Sequence, residues 1–170
     1  MEKQETVFEL TADQIARARV VLVDDDELVT ASLRGFMSLE LEIEPIVFND
    51  SEKAAEYLGE HEIDLIISDF LMPRMDGIRL LARARERWPE VPRVLLTGYA
   101  DKENAIKAIN EVHAFQYVEK PWENEQLKQI VLNGLERITL IRRMAEVMDE
   151  LSKTRGDLQG LRKKLVLAFA

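Results

Sequence analysis

The chain of 170 residues contains no cysteine. This absence excludes disulfide bonds and thiolate chemistry, and it is compatible with a reducing cytoplasm. No uninterrupted apolar run approaches the ~20 residues that are needed to span a bilayer. The opening MEKQETVFEL also lacks the apolar core of a signal peptide. We therefore expect a cytoplasmic protein without a membrane-embedded part.

Basic residues are scarce relative to acidic ones, since 23 Lys and Arg face 32 Asp and Glu and the formal net charge is -9. Binding of nucleic-acid phosphates requires a concentrated basic face, so we expect no direct nucleic-acid partner. Hydrophobic residues make up 46% of the chain, which is normal for a globular core. The length allows one ordinary domain plus an extra element.

Short apolar runs alternate five times with amphipathic stretches from about Arg19 onward. The five runs are RVVLV, IEPIVF, DLIIS, RVLLT and FQYVE, and each precedes a segment with helical spacing. This alternation predicts an α/β fold in which helices cover both faces of a parallel sheet. The segments VVLV and LIIS are apolar at successive positions, which is typical of central strands.

Polar residues follow the predicted strands at the sheet edge where α/β proteins bind ligands. They are Asp24, Asp25 and Asp26 after the first strand, Asp69 after the third, Thr97 after the fourth and Lys120 after the fifth. After the second strand, the stretch FNDSEKA predicts an ordinary helix cap, with Asn49, Asp50 or Ser51 as the capping residue. We therefore expect carboxylates, a hydroxyl and an amine to converge at one edge.

The chemistry of such a cluster points to a cation and a phosphoryl group. Several carboxylates that lie close together cannot all stay ionised cheaply unless a cation offsets them. A few hard oxygen ligands beside open coordination positions suit Mg²⁺. A hydroxyl and an ammonium group would complete a cradle for phosphoryl oxygens. One aspartate could then act as the nucleophile, because carboxylates form aspartyl phosphates.

Four motifs occur in order, each at the end of a predicted strand: VDDDE, SDFLMPRMDG, LLTGYA and YVEKPW. Together they resemble the receiver domain of two-component response regulators, over about residues 18–137. The resemblance implies a flavodoxin-like fold, with a five-stranded parallel doubly wound sheet in the order 2-1-3-4-5 and a long C-terminal helix. It divides the chain into a lead (1–17), a receiver (18–137) and a helical extension (138–170). It also implies a signalling switch rather than an enzyme.

The resemblance assigns roles by position in this sequence. Asp69 matches the phosphoacceptor, which takes a phosphoryl group from the phosphohistidine of a sensor histidine kinase or phosphotransfer protein. Asp24 and Asp25 match the acidic pair that holds Mg²⁺, with Asp25 as the direct ligand. The remaining matches are the backbone carbonyl of Leu71 as a metal contact, Thr97 and Lys120 as holders of phosphoryl oxygens, Tyr117 as the switch aromatic and Pro121 as the proline after a cis peptide bond. Asp26 has no fixed role in the family and is expected to begin a helix.

The tail continues the last helix of the predicted receiver, because no proline or loop cluster interrupts it. Its apolar residues alternate three and four positions apart, which is the spacing of a coiled coil. The predicted seam consists of Met144, Val147, Leu151, Thr154, Leu158, Leu161, Leu165 and Ala168.

Charges beside this seam favour a parallel homodimer. In that arrangement each g position faces the next e position of the partner helix, which pairs Glu150 with Arg155 and Asp157 with Arg162. Both pairs have opposite charges.

Two glycines, Gly156 and Gly160, each cost ~1 kcal/mol in a helix interior. They keep open two alternatives, a single helix that folds back on the receiver and an amphipathic helix that serves an absent domain. Nothing after Lys120 resembles a DNA-binding or catalytic domain. Because the chain ends in the apolar segment LVLAFA, we expect an output module or a partner beyond residue 170.

Two other functions remain as alternatives. The first is a receiver adaptor that works without phosphorylation. The second is a phosphohydrolase of the haloacid dehalogenase type, because Asp24 and Asp26 after an apolar strand resemble its nucleophile and acid. Against this second reading, no paired acids follow Lys120 at a further strand end, the chain has no room for a cap domain, and Leu28 stands where that family has Thr or Val.

Overall fold

The computed structural model describes residues 9–114 and 116–168. Its elements in chain order are α1 (Ala12–Ala16), β1 (Val20–Val23), α2 (Glu27–Leu41), β2 (Ile46–Phe48), α3 (Ser51–Glu60), β3 (Leu65–Asp69), α4 (Gly77–Arg87), β4 (Arg93–Gly98), a short 3₁₀ turn (Tyr99–Asp101), α5 (Lys102–Val112), β5 (Gln116–Lys120) and α6 (Asn124–Ala168). The five strands are parallel and lie in the order β2-β1-β3-β4-β5. The predicted fold class and strand order are therefore confirmed.

Each strand supplies side chains to both faces of the sheet, because successive residues of a strand point in opposite directions. In β1, Val20 and Leu22 join the apolar cluster formed with α2 and α6. Val21 and Val23 join the opposite cluster, formed with α3, α4 and α5. All residues of β1 and β3 are buried, and neither strand lies at an edge of the sheet. This explains why both runs are apolar at successive positions.

Aspartates begin the three helices that follow β1, β2 and β3. Asp26, Asp50 and Asp76 each occupy the N-cap position, and each accepts a hydrogen bond from a backbone N–H of the first turn at 2.8 or 2.9 Å. A carboxylate there satisfies an otherwise unpaired donor and complements the helix dipole. Asp26 therefore has the capping role expected of it. Among the three candidates after β2, the capping residue is Asp50.

The chain divides into two compact units, of which the first ends at Ile138 and the second begins at Thr139. In the first unit, α6 buries Leu127, Val131 and Leu135 in the apolar cluster that includes α2. The long C-terminal helix is thus confirmed. None of the helices in the two described ranges combines the length and apolarity that crossing a bilayer requires.

The second unit is a continuous helix whose apolar side chains are exposed. Their exposed fractions lie between 48% and 64% for Met144, Val147, Leu151, Leu158, Leu161 and Leu165. Thr154 is the polar member of the predicted seam. Its hydroxyl donates to the Glu150 carbonyl at 3.0 Å, so the hydroxyl donor already has an acceptor within its own helix. The side chain of Ala168 lies outside the part of the structure that is described.

Candidate functional site

Four of the predicted site residues meet at the carboxyl edge of the sheet. Asp24 directly follows β1, Asp69 is the last residue of β3, Thr97 is the next to last of β4, and Lys120 ends β5. The strand register explains their proximity, since Asp69 is paired with Leu96 and Lys120 with Gly98. Residues 96–98 of β4 therefore lie between the ends of β3 and β5.

The ammonium group of Lys120 connects two carboxylates at this edge. Its Nζ lies 2.6 Å from Oδ2 of Asp24 and 2.7 Å from Oδ1 of Asp69. Asp24 is only 1% exposed and Asp69 only 8%. Charge-assisted hydrogen bonds are short and strong, and they are stronger still where water is excluded. A long side chain from the far strand thus fixes the geometry of both acids.

Burial and the hydrogen bonds within this cluster shift the pKa values of its members in opposite directions. Burial raises the pKa of the Asp69 carboxyl, and the Asp24 carboxylate adds to the increase, whereas the hydrogen bond from Lys120 opposes it. Burial by itself would lower the pKa of Lys120, but its hydrogen bonds to the two aspartates raise that pKa overall. The ionised Asp69 carboxylate is therefore costly in the folded protein, so additional positive charge would stabilise it.

A third carboxylate completes a set of possible metal ligands. Carboxylate oxygens of Asp24, Asp25 and Asp69 lie within 4.8 Å of one another. Asp25 is exposed, whereas the other two are buried. Three hard oxygen donors with one open side suit Mg²⁺, which keeps several of its water ligands. Leu71 stands two residues after Asp69, and its side chain is exposed.

Asp24 is also held by hydrogen bonds with the backbone. Oδ1 of Asp24 accepts a hydrogen bond from the backbone N–H of Asp26 at 2.9 Å. The backbone N–H of Asp24 donates to the Phe48 carbonyl at 3.2 Å. The acidic loop therefore connects the end of β1 directly to the N-cap residue of α2.

Asn49 is a site residue that the sequence interpretation missed. Its side-chain Nδ2 donates to the backbone carbonyl of Asp24 at 2.8 Å and to Oγ1 of Thr30 at 2.9 Å. The stretch FNDSEKA predicts only a possible helix cap at this position, and that role belongs to Asp50. The signal that could have revealed it is the strand order, because β2 neighbours β1 and places the residue after β2 beside the residue after β1.

Gly77 is a second position whose importance the sequence did not reveal. Asp76-Gly77 is an ordinary turn signal, and Asp76 does cap α4. However, a Cβ atom at Gly77 would lie 1.9 Å from the backbone oxygen of Asp69. The N–H of Gly77 also donates to the Phe70 carbonyl at 2.9 Å. Glycine thus allows the start of α4 to pack directly against the backbone of Asp69.

The remaining predicted residues lie on β4, on β5 and directly after β5. Thr97 is fully buried, and its hydroxyl donates to the Gly98 carbonyl at 3.2 Å. Tyr117 is half-buried and packs against the cluster formed with α3, α4 and α5. The peptide bond between Lys120 and Pro121 is cis.

Comparison with known proteins gives a consistent result. The family described as the response regulator receiver domain matches residues 20–132. The hydrogenase transcriptional regulatory protein HoxA of Cupriavidus necator is 32% identical over 120 residues, which are 71% of this chain and 24% of that protein. The regulatory protein AtoC of Escherichia coli is 30% identical over 134 residues, which are 79% of this chain and 29% of that protein. The chain therefore spans less than a third of the length of these two relatives.

Solved structures show the same similarity. The signal receiver domain of an HD domain-containing protein from Pseudomonas fluorescens Pf-5 matches with a TM-score of 0.67 and 34% identity, over 72% of this chain and 98% of that one. A response regulator receiver domain protein from Clostridium thermocellum matches with a TM-score of 0.68 and 26% identity, over 73% of this chain and 98% of that one.

Proposed function

The chain belongs to the family of response regulator receiver domains, and we propose that it is a phosphorylation switch in which Asp69 accepts the phosphoryl group. The observation that carries this proposal is the bridge from Lys120 to both Asp24 and Asp69. The bridge brings an acid after β1, an acid on β3 and an amine on β5 within hydrogen-bond distance, with Thr97 on the intervening strand. The donor is a sensor histidine kinase or a phosphotransfer protein.

The proposed reaction is a transfer between a nitrogen and an oxygen. A carboxylate oxygen of Asp69 attacks the phosphorus atom of the donor's phosphohistidine. The phosphorus–nitrogen bond breaks, and its electron pair goes to the imidazole nitrogen, which takes up a proton. Burial raises the pKa of Asp69, which makes its carboxylate a better nucleophile than a fully solvated one.

Other residues of the chain stabilise the phosphoryl oxygens in this proposal. The Lys120 ammonium group lies 2.7 Å from the acceptor carboxylate, so it can hold an oxygen of a phosphoryl group bound there. The Thr97 hydroxyl supplies a second donor. We further propose that its movement towards the phosphoryl group lets Tyr117 turn inward. Donors that are positioned before the reaction stabilise developing charge without reorganisation.

The acidic group suits Mg²⁺ as the cofactor of this switch. Asp24, Asp25 and Asp69 would hold the ion with the backbone carbonyl of Leu71, and the oxygen-only donor set supports this choice. When bound, Mg²⁺ would neutralise negative charge on the phosphoryl oxygens.

Substitution of the acceptor tests the proposal. The full chain is incubated with Mg²⁺ and labelled acetyl phosphate, and incorporation of the label is measured. We expect Asp69→Asn to abolish incorporation, because an amide oxygen is a poor nucleophile. Asp26→Asn is the matched control, since asparagine also caps a helix, and it should incorporate label normally.

The result for Asp24 separates the switch from the competing hydrolase. If Asp24→Asn abolished incorporation while Asp69→Asn did not, the haloacid dehalogenase reading would be correct. Normal incorporation by Asp69→Asn would in any case disprove the assignment of the acceptor. A wild-type chain that incorporates no label and does not respond to beryllofluoride would instead be a phosphorylation-independent adaptor.

We propose that the second unit forms a parallel coiled coil with a second copy of the chain. Two observations support this. The six apolar seam residues described between Met144 and Leu165 are half exposed, and the hydroxyl of Thr154 is bonded within its own helix. The Glu150–Arg155 and Asp157–Arg162 pairs add charge complementarity between parallel helices. Through this dimer, phosphorylation would act on an output module or partner beyond residue 170.

Mass in solution tests the coiled coil. The wild-type chain is measured by sedimentation with Mg²⁺, in the presence and absence of beryllofluoride. We expect a dimer, and we expect Leu151→Asp with Leu158→Asp to give a monomer that still incorporates label at Asp69. A wild-type monomer in both states would disprove the coiled-coil proposal and leave the phosphoacceptor unaffected.

A further inference from the structure

Asn49 connects the ends of two strands to the first turn of a helix. Both hydrogens of its side-chain amide are used, since Nδ2 donates to the Asp24 carbonyl at 2.8 Å and to the Thr30 hydroxyl at 2.9 Å. The Thr30 hydroxyl in turn donates to the Glu27 carbonyl at 3.1 Å. A continuous chain of hydrogen bonds therefore runs from the residue after β2 to the acidic loop and into α2.

The bond to the Asp24 carbonyl has a specific consequence for the acidic pair. This carbonyl belongs to the peptide group that joins Asp24 to Asp25. Fixing its direction fixes the plane of that peptide, and the plane determines how the Cα–Cβ bonds of the two acids diverge. Asp24 is already held by Lys120, whereas Asp25 is exposed. The orientation of Asp25 thus depends strongly on the peptide that Asn49 holds.

The burial of these residues indicates that Asn49 contributes more to the orientation of the acidic pair than to the stability of the fold. Asp24 and Thr30 are 1% and 3% exposed, but Asn49 is itself exposed. Asn49 therefore joins two buried partners to the solvent-exposed surface. Because the residue is exposed, water can replace its amide as a donor to the Asp24 carbonyl, so little folding free energy should be lost. The Asp24–Asp25 peptide would then be held only by the turn bond from the Asp26 N–H to Oδ1 of Asp24, without the donor that directs its carbonyl.

We propose that Asn49 is a positioning residue that orients Asp24 and Asp25 for Mg²⁺ and thereby sets the metal affinity of the phosphorylation site. The inference rests on the proposed function, because it assigns Mg²⁺ to the cluster of Asp24, Asp25 and Asp69. Residues that orient metal ligands through a second layer of hydrogen bonds commonly change metal affinity by about 10- to 100-fold.

Titration of the full chain with Mg²⁺ tests this role. The dissociation constant is measured by calorimetry for the wild type, Asn49→Ala and Asn133→Ala. Asn133 is also exposed but lies on α6, which makes it a matched control. We expect Asn49→Ala to weaken Mg²⁺ binding by about tenfold, with an unchanged thermal midpoint in the absence of the ion. Asn133→Ala should bind Mg²⁺ as the wild type does.

A second variant and a second readout distinguish positioning from general damage. Thr30→Val removes one of the two bonds of Asn49 while keeping the buried shape, so it should weaken binding less than Asn49→Ala does. Phosphorylation of Asn49→Ala by acetyl phosphate should regain the wild-type maximal rate when Mg²⁺ is raised to saturation. A maximal rate that stays low at saturating Mg²⁺ would contradict a role in metal affinity.

The outcomes also separate this inference from the proposed function. If the wild type bound Mg²⁺ and incorporated phosphoryl at Asp69 while Asn49→Ala bound Mg²⁺ within twofold of the wild type, only the inference would be wrong. If the wild type bound no Mg²⁺, both would be wrong.

Discussion

Residues 124–138 of α6 bury their apolar side chains, whereas the part of α6 from Thr139 onward exposes apolar side chains of the same kind. In the first part, Leu127, Val131 and Leu135 are at most 2% exposed. In the second part, leucines at similar three- and four-residue intervals are half exposed. Periodicity thus identifies the apolar face of a helix, but it does not say where the partner of that face is found.

The difference has an energetic meaning. The first part is covered by the sheet and α2 of the same chain, and full burial of a leucine contributes about 1.5 to 3 kcal/mol. In the second part, the described apolar side chains of the seam remain half exposed. If a second copy covers them, their stabilisation depends on protein concentration.

Truncation of a leucine in each part should give the largest contrast. We expect Leu127→Ala to lower the free energy of unfolding of the receiver by about 3 kcal/mol, because it opens a cavity in a buried cluster. Leu151→Ala should change it by less than about 0.5 kcal/mol and instead weaken self-association. Urea unfolding followed by tryptophan fluorescence measures this, since both tryptophans, Trp88 and Trp122, precede Thr139. Equal losses in the two variants would contradict the comparison.

Alanine at Gly134 tests how tightly the first part of α6 is packed. A Cβ there would lie 2.6 Å from Cδ1 of Leu65 and 3.4 Å from Cβ of Pro92. Leu65 is fully buried, so it has little room to move. We expect Gly134→Ala to destabilise the receiver by about 1 kcal/mol, because overpacking outweighs the gain in helix propensity. A more stable variant in the same urea titration would show that the Leu65 side chain moves to accommodate the added Cβ.

Alanine at Gly160 is the same substitution in the second part of α6, where we expect the opposite sign. No atom lies within 4 Å of a Cβ built at this position. The variant should therefore gain up to about 1 kcal/mol of helix stability from propensity alone. The gain should appear as higher helical content by circular dichroism and tighter self-association. Weaker self-association would indicate that a partner helix approaches Gly160 closely.

Charge reversal beside the seam should have the smallest effect. In a parallel dimer, Glu150→Arg should weaken association by about 0.5 kcal/mol per exposed pair. Adding Arg155→Glu should restore association, and high salt should remove both effects. Sedimentation at two salt concentrations measures the dissociation constants. No difference between the single and double variants would argue against a parallel register.

Much of the fold could be predicted because it depends on local patterns. Short apolar runs of five or six residues, each followed by a helical pattern, indicated the parallel sheet, and the capping aspartates indicated where the helices begin. The convergence of Asp24, Asp69 and Lys120 also followed from the pattern, since the carboxyl ends of parallel strands meet at one edge. Their contacts of 2.6 and 2.7 Å involve residues 96 and 51 positions apart, and local sequence contains no information on such distances.

The sequence by itself determined the alternation of strands and helices, the polar residues at the strand ends and the heptad spacing of the tail. The tertiary structure alone decided that Asn49 holds the Asp24 carbonyl and that Gly77 lies against the backbone of Asp69. The physical reason is that hydrophobic periodicity and helix caps act over a few neighbouring residues. The amide of Asn49 meets its acceptor at the end of another strand, so this contact forms only once the chain has folded. The lack of a Cβ at Gly77 likewise matters only once α4 packs against the backbone of Asp69.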